Sequence, residues 1–425
     1  MILIFLMIAA PLFAQEEAEI NDSATNEADE FPQISFGGLL DARFVRTDET
    51  GSWLDGELGK TRYGSEDSGN SELLRLSQAS LLISAAASDV LSARLQINVD
   101  ADPDELDVRN GRIDLIEAFG SYRPVLSSSF RLRLRGGIFF PPVSLENRGP
   151  AWTTPYSITT SAINSWIGEE VRVAGAEFGA VCSSGGTEVS LSVAAFGYND
   201  PAGTLLAWRG WALHDRQTGW NDHLPLAGIP ALQPDGLFPR QPHYVEPFRE
   251  VDGRVGFYGS GAVRNRYFEL NGIYYDNRGE QTNFDGLQYA WKTDFGGAGI
   301  AVPVAENFEV LGQYMAGAGK MGFRSAVNID FDSFYVLATA RFDSHRISAR
   351  YDDFSVDDQN ADLAADDNRE DGNAWTLAYI FTVLEKHRLA FEVLRVKSAR
   401  PSRTSMNLSP RQEEWLFQTS FRFQF

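Results

Sequence analysis

From residue 34 onward, apolar and polar side chains alternate in short runs, and the alternation restarts after every turn signal. The last run, "EEWLFQTSFRFQF", puts Trp415, Phe417, Phe421, Phe423 and Phe425 on one face. Leu416, Gln418, Ser420, Arg422 and Gln424 fall on the other. The first run sets Ile34, Phe36, Leu40, Ala42 and Phe44 against Gln33, Ser35, Asp41 and Arg43. A period of two marks a strand with one greasy and one wet face. The pattern predicts about sixteen strands, at 34–46, 72–86, 91–101, 112–123, 129–140, 170–181, 187–197, 250–263, 266–275, 286–302, 306–317, 331–343, 345–353, 374–384, 386–397 and 413–425.

Soluble sandwiches and membrane barrels both alternate in this way, and the connections separate them. Every second gap is tight ("SDV", "PVLSS", "SSGG", "NR", "PVAE"), while the gaps between are long. Short turns at one end and long loops at the other are the layout of an outer-membrane barrel, with the short turns periplasmic and the long loops extracellular. In hydrocarbon every backbone amide needs a protein partner, so spanning strands have to form a closed ring. The expected fold is therefore all-β: a transmembrane antiparallel β-barrel in the bacterial outer membrane. Tyr274, Tyr351, Trp375 and Trp415 sit at strand ends, where interfacial aromatics belong.

The run "MILIFLMIAAPLFA" (1–14) has the character of a secretory signal peptide, and the acidic stretch 15–33 that of a disordered lead-in to a barrel at 34–425. Elsewhere no apolar run is long enough for a helical span. The net charge of −21 argues against nucleic acid as a partner. The lone cysteine, Cys182, has no partner for a disulfide within the chain.

Against that acidity the segment "RLRLRGGIFFPPVSLEN" (131–147) stands out. Arginines facing lipid near the midplane would cost about 2–4 kcal/mol each, so Arg131, Arg133 and Arg135 are expected to face the lumen as a vertical row. Arg341, Arg346 and Arg350 fall on the inward parity of two later strands. Two readings stay open. The row passes anions, each guanidinium offering a fork to carboxylate or phosphate. Alternatively it pairs with acids such as Glu146, Glu117 or Glu170 and holds the pore open. Parity sends twelve basic and ten acidic side chains inward, among them Glu170, Arg172, Lys292 and Asp294, so the excess acid lies in the loops and the leading tail.

Pro141 and Pro142 end the fifth strand, and the stretch that follows (141–168) is long enough to fold inward and narrow the pore, with Glu146 and Arg148 as constriction candidates. The longest connection (198–249) carries "WRGWALHDRQTGW". There Trp208, Trp211 and Arg216 either cover the mouth, stacking on a ring-bearing solute, or pack within the loop. His214, His223 and His243 lack a tight metal spacing, and the acids at 357–358 and 366–367 lack the glycine-bearing pattern of a calcium loop, so neither metal nor cofactor is expected. His345 and His387 have no serine-and-acid arrangement, so the chain is not expected to be an enzyme.

The segment "GGIFFPPVSLEN" and the stretch 350–379 resemble the phosphate-selective porins of the O/P type, and "FRFQF" resembles the terminal signature of outer-membrane barrels generally. The resemblance implies sixteen strands, a homotrimer, passive diffusion of small hydrophilic solutes with an anion preference, and delivery to the barrel-assembly machinery through Phe425. Outer-membrane lipid and lipopolysaccharide would surround it. The chain departs from that family in its acidic loops: 352–371 holds nine Asp or Glu against one Arg. A non-selective or carbohydrate-diffusion porin is the alternative, followed by a barrel enzyme or an adhesion or assembly barrel. Residues 15–33 are too few for a separate plug domain.

Overall fold

The computed structural model describes residues 31–48, 50–64, 71–99, 113–361, 367–384 and 386–425. The strands are β1 (Gln33–Thr47), β2 (Ser71–Ser88), β3 (Leu91–Val99), β4 (Ile113–Tyr122), β5 (Phe130–Phe139), β6 (Val173–Ser184), β7 (Thr187–Gly197) and β8 (Gly256–Arg264). They continue with β9 (Glu269–Asp276), β10 (Lys292–Ala305), β11 (Phe308–Met321), β12 (Val327–Phe342), β13 (His345–Asp358), β14 (Glu370–Val383), β15 (His387–Ala399) and β16 (Arg411–Gln424). Each pairs antiparallel with its chain neighbours. A short piece, Val125–Ser127, prolongs β4 along β5. The ring closes where Leu39 to Thr47 of β1 pair with Gln424 to Leu416 of β16, giving a sixteen-strand barrel.

Alternation sorts the side chains as the sequence requires. Leu191 and Val193 are 65% and 60% exposed on the outside, while Ser192 between them is buried. Trp375, Leu377, Phe417, Phe421 and Phe423 belong to the same outer belt. A closed sheet with that belt is a membrane-spanning barrel, and its setting is the bacterial outer membrane.

Four expectations change. β6 starts at Val173, not 170, and Glu170 and Arg172 belong to the preceding loop. That one-residue change of parity turns Glu177 inward and Phe178 outward. In β10 the buried residues are Thr293 and Phe295, so Lys292 and Asp294 point outward. β12, β13 and β14 run further than apolar alternation suggested, because their outer ends stand above the hydrocarbon. There Asp330 faces Asp357 across the ladder, and acidic side chains no longer signal a loop. Six of the nine acids of 352–371 (Asp352, Asp353, Asp357, Asp358, Glu370 and Asp371) thus lie on two strand ends. Asp358 is buried and accepts from Asn360 N (2.9 Å) and from Asn368 N (3.1 Å) and Nδ2 (3.0 Å), and Asp367 pairs with Arg369. Residues 1–14, most of 15–33 and Asp366 lie outside the described residues.

Val193→Arg puts a guanidinium in the middle of the outer belt, and is expected to destabilise the barrel in lipid vesicles by about 2–4 kcal/mol in a urea titration. Parental stability would contradict the inside–outside assignment.

Candidate functional site: the lumen and its inward loops

At Gly137 (φ 136°) a Cβ would meet the Ala118 carbonyl at 2.2 Å, so β5 crowds β4 as it ends. The chain then passes Pro141 and Pro142 and turns into the lumen. This first inward loop (140–172) carries the helix α1 (Ala162–Glu170), capped by Ser161, whose side chain accepts from Asn164 N. Every residue of α1 is buried. A second inward loop (198–255), with the short helix α2 (Thr204–Trp208), lies against it.

Charged wall residues hold these irregular segments by their backbone. Glu392 accepts from Ile158 N (2.6 Å) and Thr159 N (3.1 Å), and Asp352 from Ala162 N (3.1 Å). Arg350, 1% exposed, donates to the carbonyls of Thr159 and Thr160 (both 2.8 Å) and to Asp352 (2.8 Å). Glu146, fully buried, bonds Ser161 N (2.6 Å) and Asn164 Nδ2 (2.9 Å) within its own loop and lies 3.4 Å from Arg350. Arg148 reaches Glu269 at 2.9 Å. Glu146 and Arg148 therefore both lie in the inward loop, whereas Arg350 stands in its anchor and not along an open wall.

The mouth residues form a core of their own. Trp208 and Trp211 are fully buried, so neither offers a face to solute. Trp166 meets Trp211, Phe295 and Phe331 edge-on at 6.0, 5.4 and 5.3 Å. Arg216 pairs with Asp222 in a buried site. Arg209 grips Glu169 with both nitrogens (2.7 and 2.6 Å), and His214 lies 3.1 Å from the same carboxylate. Burial pushes Glu169 up, yet Arg209 and then His214 hold it at about 2. Glu170 accepts from Trp166 Nε1 (2.6 Å), Gly203 N (3.0 Å) and Leu205 N (3.1 Å). Burial outweighs these donors and pushes its carboxyl up to about 7.

The arginine row faces the lumen near the periplasmic turns and is paired. Arg131 meets Glu188 at 2.8 Å; Arg133 and Arg135 share Glu177, each at 3.0 Å. The partners are β6 and β7 residues, not the Glu146, Glu117 or Glu170 proposed from sequence. Glu177 was hidden by the parity error in β6. Arg94 (β3) lies 3.9 Å from Glu117, and Arg264 (β8) 3.0 Å from Glu269. Arg341 and Arg346 face each other across β12 and β13, on the opposite side of the ring from β5. Arg346 packs over the Tyr156 ring at 5.1 Å.

In each of these pairs the cation is the wetter partner. Arg94, Arg131, Arg133 and Arg264 are 40, 43, 36 and 38% exposed, against 10, 33, 0 and 7% for their acids. Water in this vestibule therefore meets guanidinium first. Among the described residues, Asp200, Glu250 and Asp252 form a carboxylate cluster close enough to share an ion, but it lies in the second inward loop, away from the vestibule.

No protein-family model and no curated protein matches the chain. Solved structures with the same fold do. The outer membrane channel DcaP of Acinetobacter baumannii is 10% identical, with a TM-score of 0.58 over 93% of this chain and 97% of that one. The trimer form of OmpT, an outer membrane protein of Vibrio cholerae, is 9% identical, with a TM-score of 0.50 over 93% and 100%. At these identities the likeness establishes the barrel fold.

Two outcomes follow from the loop anchors. Arg350→Met leaves Asp352 and Glu146 buried without their cation, and is expected to destabilise the barrel by about 3–5 kcal/mol in denaturant titration. A neutral result would remove Arg350 from the anchor. Glu170 binds its proton more tightly folded than unfolded, so its contribution is present below the unfolded value near 4.5 and lost as pH rises through about 7. Tryptophan emission from the loop core is expected to shift toward water between about pH 5 and pH 8. Glu170→Gln should flatten that shift, and an unchanged shift would exclude Glu170 as its source.

Proposed function

We propose that the chain is a diffusion porin with an anion preference, of the phosphate-selective type its sequence resembles. The observation that carries this reading is the vestibule in which Arg94, Arg131, Arg133 and Arg264 present their charge to water while the balancing carboxylates lie behind them. Such a wall concentrates small anions before they reach the narrow part of the lumen. Arg135, 13% exposed, sits deeper on the same row, and Arg341 and Arg346 face it from the other side. Glu146 and Arg148 shape the constriction through the loop they hold. Residues 1–14 would direct export, and Phe425 would be read by the assembly machinery. The trimer form of OmpT and the outer membrane channel DcaP make a trimeric channel the natural assembly to test.

In planar bilayers under a salt gradient, the purified chain is expected to give stepwise currents with a reversal potential of anion sign. Arg131→Ala combined with Arg133→Ala should move that potential toward zero, because Glu188 then faces the vestibule unopposed and Glu177 keeps only Arg135 as its cation. Cation selectivity in the parent, unchanged in the double variant, would sink the anion reading. Neutral sugars entering liposomes as fast as phosphate would favour the carbohydrate alternative.

A further inference from the structure

The two inward loops and the wall build one dry core across the outer half of the lumen. Buried apolar side chains join it from around the ring: Val45 (β1), Phe196 (β7), Phe295 (β10), Phe331 (β12), Val356 (β13), Leu416 (β16). Among the described residues, β2 and β3 add no fully buried apolar side chain to it. Their inward positions are filled by Ser77, Gln78, Ser80, Gln96 and Asn98, all buried.

Two bulges make this polar sector. In β2, Ser77 is the extra residue between the pairs Asp41–Gln78 and Ala42–Leu76. In β4, Ile116 is the extra residue between Gln96–Glu117 and Ile97–Leu115. A bulge lets two successive side chains point the same way, which here turns both Ser77 and Gln78 inward. The hydrogen bonds then run as a chain: Gln78 Nε2 to Ser80 Oγ (3.0 Å), Ser80 Oγ to Asn98 Oδ1 (2.7 Å), and Gln96 Nε2 to Gln217 Oε1 (2.8 Å). Gln217 belongs to the second inward loop and donates to the Ala151 carbonyl of the first (2.7 Å). Two acceptors are left over. Gln78 Oε1 and Gln96 Oε1 are buried, and no donor among the described residues reaches them. Buried amides rarely stay unpaired, so these two oxygens are open to a hydrogen-bond donor that the described residues do not supply.

The sector connects downward. Arg94, Gln96 and Asn98 are successive inward residues of β3, stepping about 6.8 Å apart from the vestibule to the seam.

We propose that solute crosses the closed half of the lumen along this seam, between the wall residues Ser77, Gln78, Ser80, Gln96 and Asn98 and the loop residue Gln217. The two free carbonyl oxygens take hydrogens from hydration water or from a solute hydroxyl. The seam is neutral, so it sorts by size and hydrogen bonding, while the arginine vestibule beneath it sorts by charge. The proposal rests on the porin reading and adds the route.

Cysteine accessibility tests it. In a Cys182→Ser background, which removes the exposed native thiol, Ser80→Cys and Asn98→Cys are compared with Ala374→Cys and Ala301→Cys, both fully buried in the apolar core. Folding of each variant is checked by its heat-modifiable mobility in detergent. A membrane-impermeant, positively charged methanethiosulfonate is added to channels in a planar bilayer. Stepwise loss of conductance at Ser80→Cys and Asn98→Cys, with the current kept at Ala374→Cys and Ala301→Cys, is the expected result. A conducting chain that keeps its current at both seam positions, or loses it at the core positions, overturns the seam alone. A folded chain that passes no current at all overturns the porin reading, and the seam falls with it.

Discussion

Everything in this molecule depends on the pairing of β1 with β16. A sheet edge in hydrocarbon would leave a row of amides without water, each costing several kcal/mol, and only closure removes the edge. The ladder from Leu39–Gln424 to Thr47–Leu416 achieves that, and Phe425 extends it: its N–H and carbonyl both bond Gly38, at 3.1 and 3.2 Å. Once the ring is shut, the outer and inner faces come under separate rules. The outside answers to lipid and is greasy at every second residue. The inside is free to be charged.

That freedom is spent largely on backbone. Two long loops descend into the barrel, and outside the short helices α1 and α2 most of their amides have no regular structure to satisfy them; in a dry interior each orphan N–H or C=O would be costly. The wall supplies the partners. Glu392 and Asp352 accept from the first loop and Glu370 from Trp211 N of the second, while Glu414 accepts from Lys60 N of the β1–β2 connection. Arg350 and Arg388 of the wall donate to the carbonyls of Thr160 and Thr154, and Arg400 and Arg403, in the β15–β16 connection, donate to those of Ala207 in the second loop and Leu58 in the β1–β2 connection. Charge-assisted bonds of this kind are stronger than neutral ones, which suits them to pinning loops in one arrangement.

The barrel was legible in the sequence because its cause is local. Outward alternation is imposed by lipid on each strand separately, so Phe417 or Leu191 declares its face without knowledge of any neighbour. The misread parts are those where lipid does not rule. β6 was entered three residues early because Glu170, Val171 and Arg172 also alternate, although α1 and the chain leaving it, not a strand, position them. Parity along a strand at 286–302 sends Lys292 and Asp294 inward, but β10 begins only at Lys292 and buries Thr293 and Phe295, and above the hydrocarbon charge is as welcome outside. The loop core was illegible for a different reason. Trp166 and Trp211 meet wall residues more than a hundred positions away, and no spacing in the chain announces that contact.

The same limit bears on the charges themselves. By parity alone Arg133 and Arg350 are equivalent, since both face inward on strands of one ring. What separates them is whether a loop lies over them. Arg350 is covered, and its five donors serve Asp352, Glu146, Thr376 and two loop carbonyls. Arg133 lies below the loops, shares a carboxylate with Arg135 and keeps a third of its surface in water. A count of lumenal charges therefore overstates the acid that a solute meets, because carboxylates such as Glu392, Asp352 and Glu177 are turned toward backbone or guanidinium. An acidic chain can in this way present a basic vestibule: the negative charge is gathered in loops and anchors, and the positive charge is left at the water.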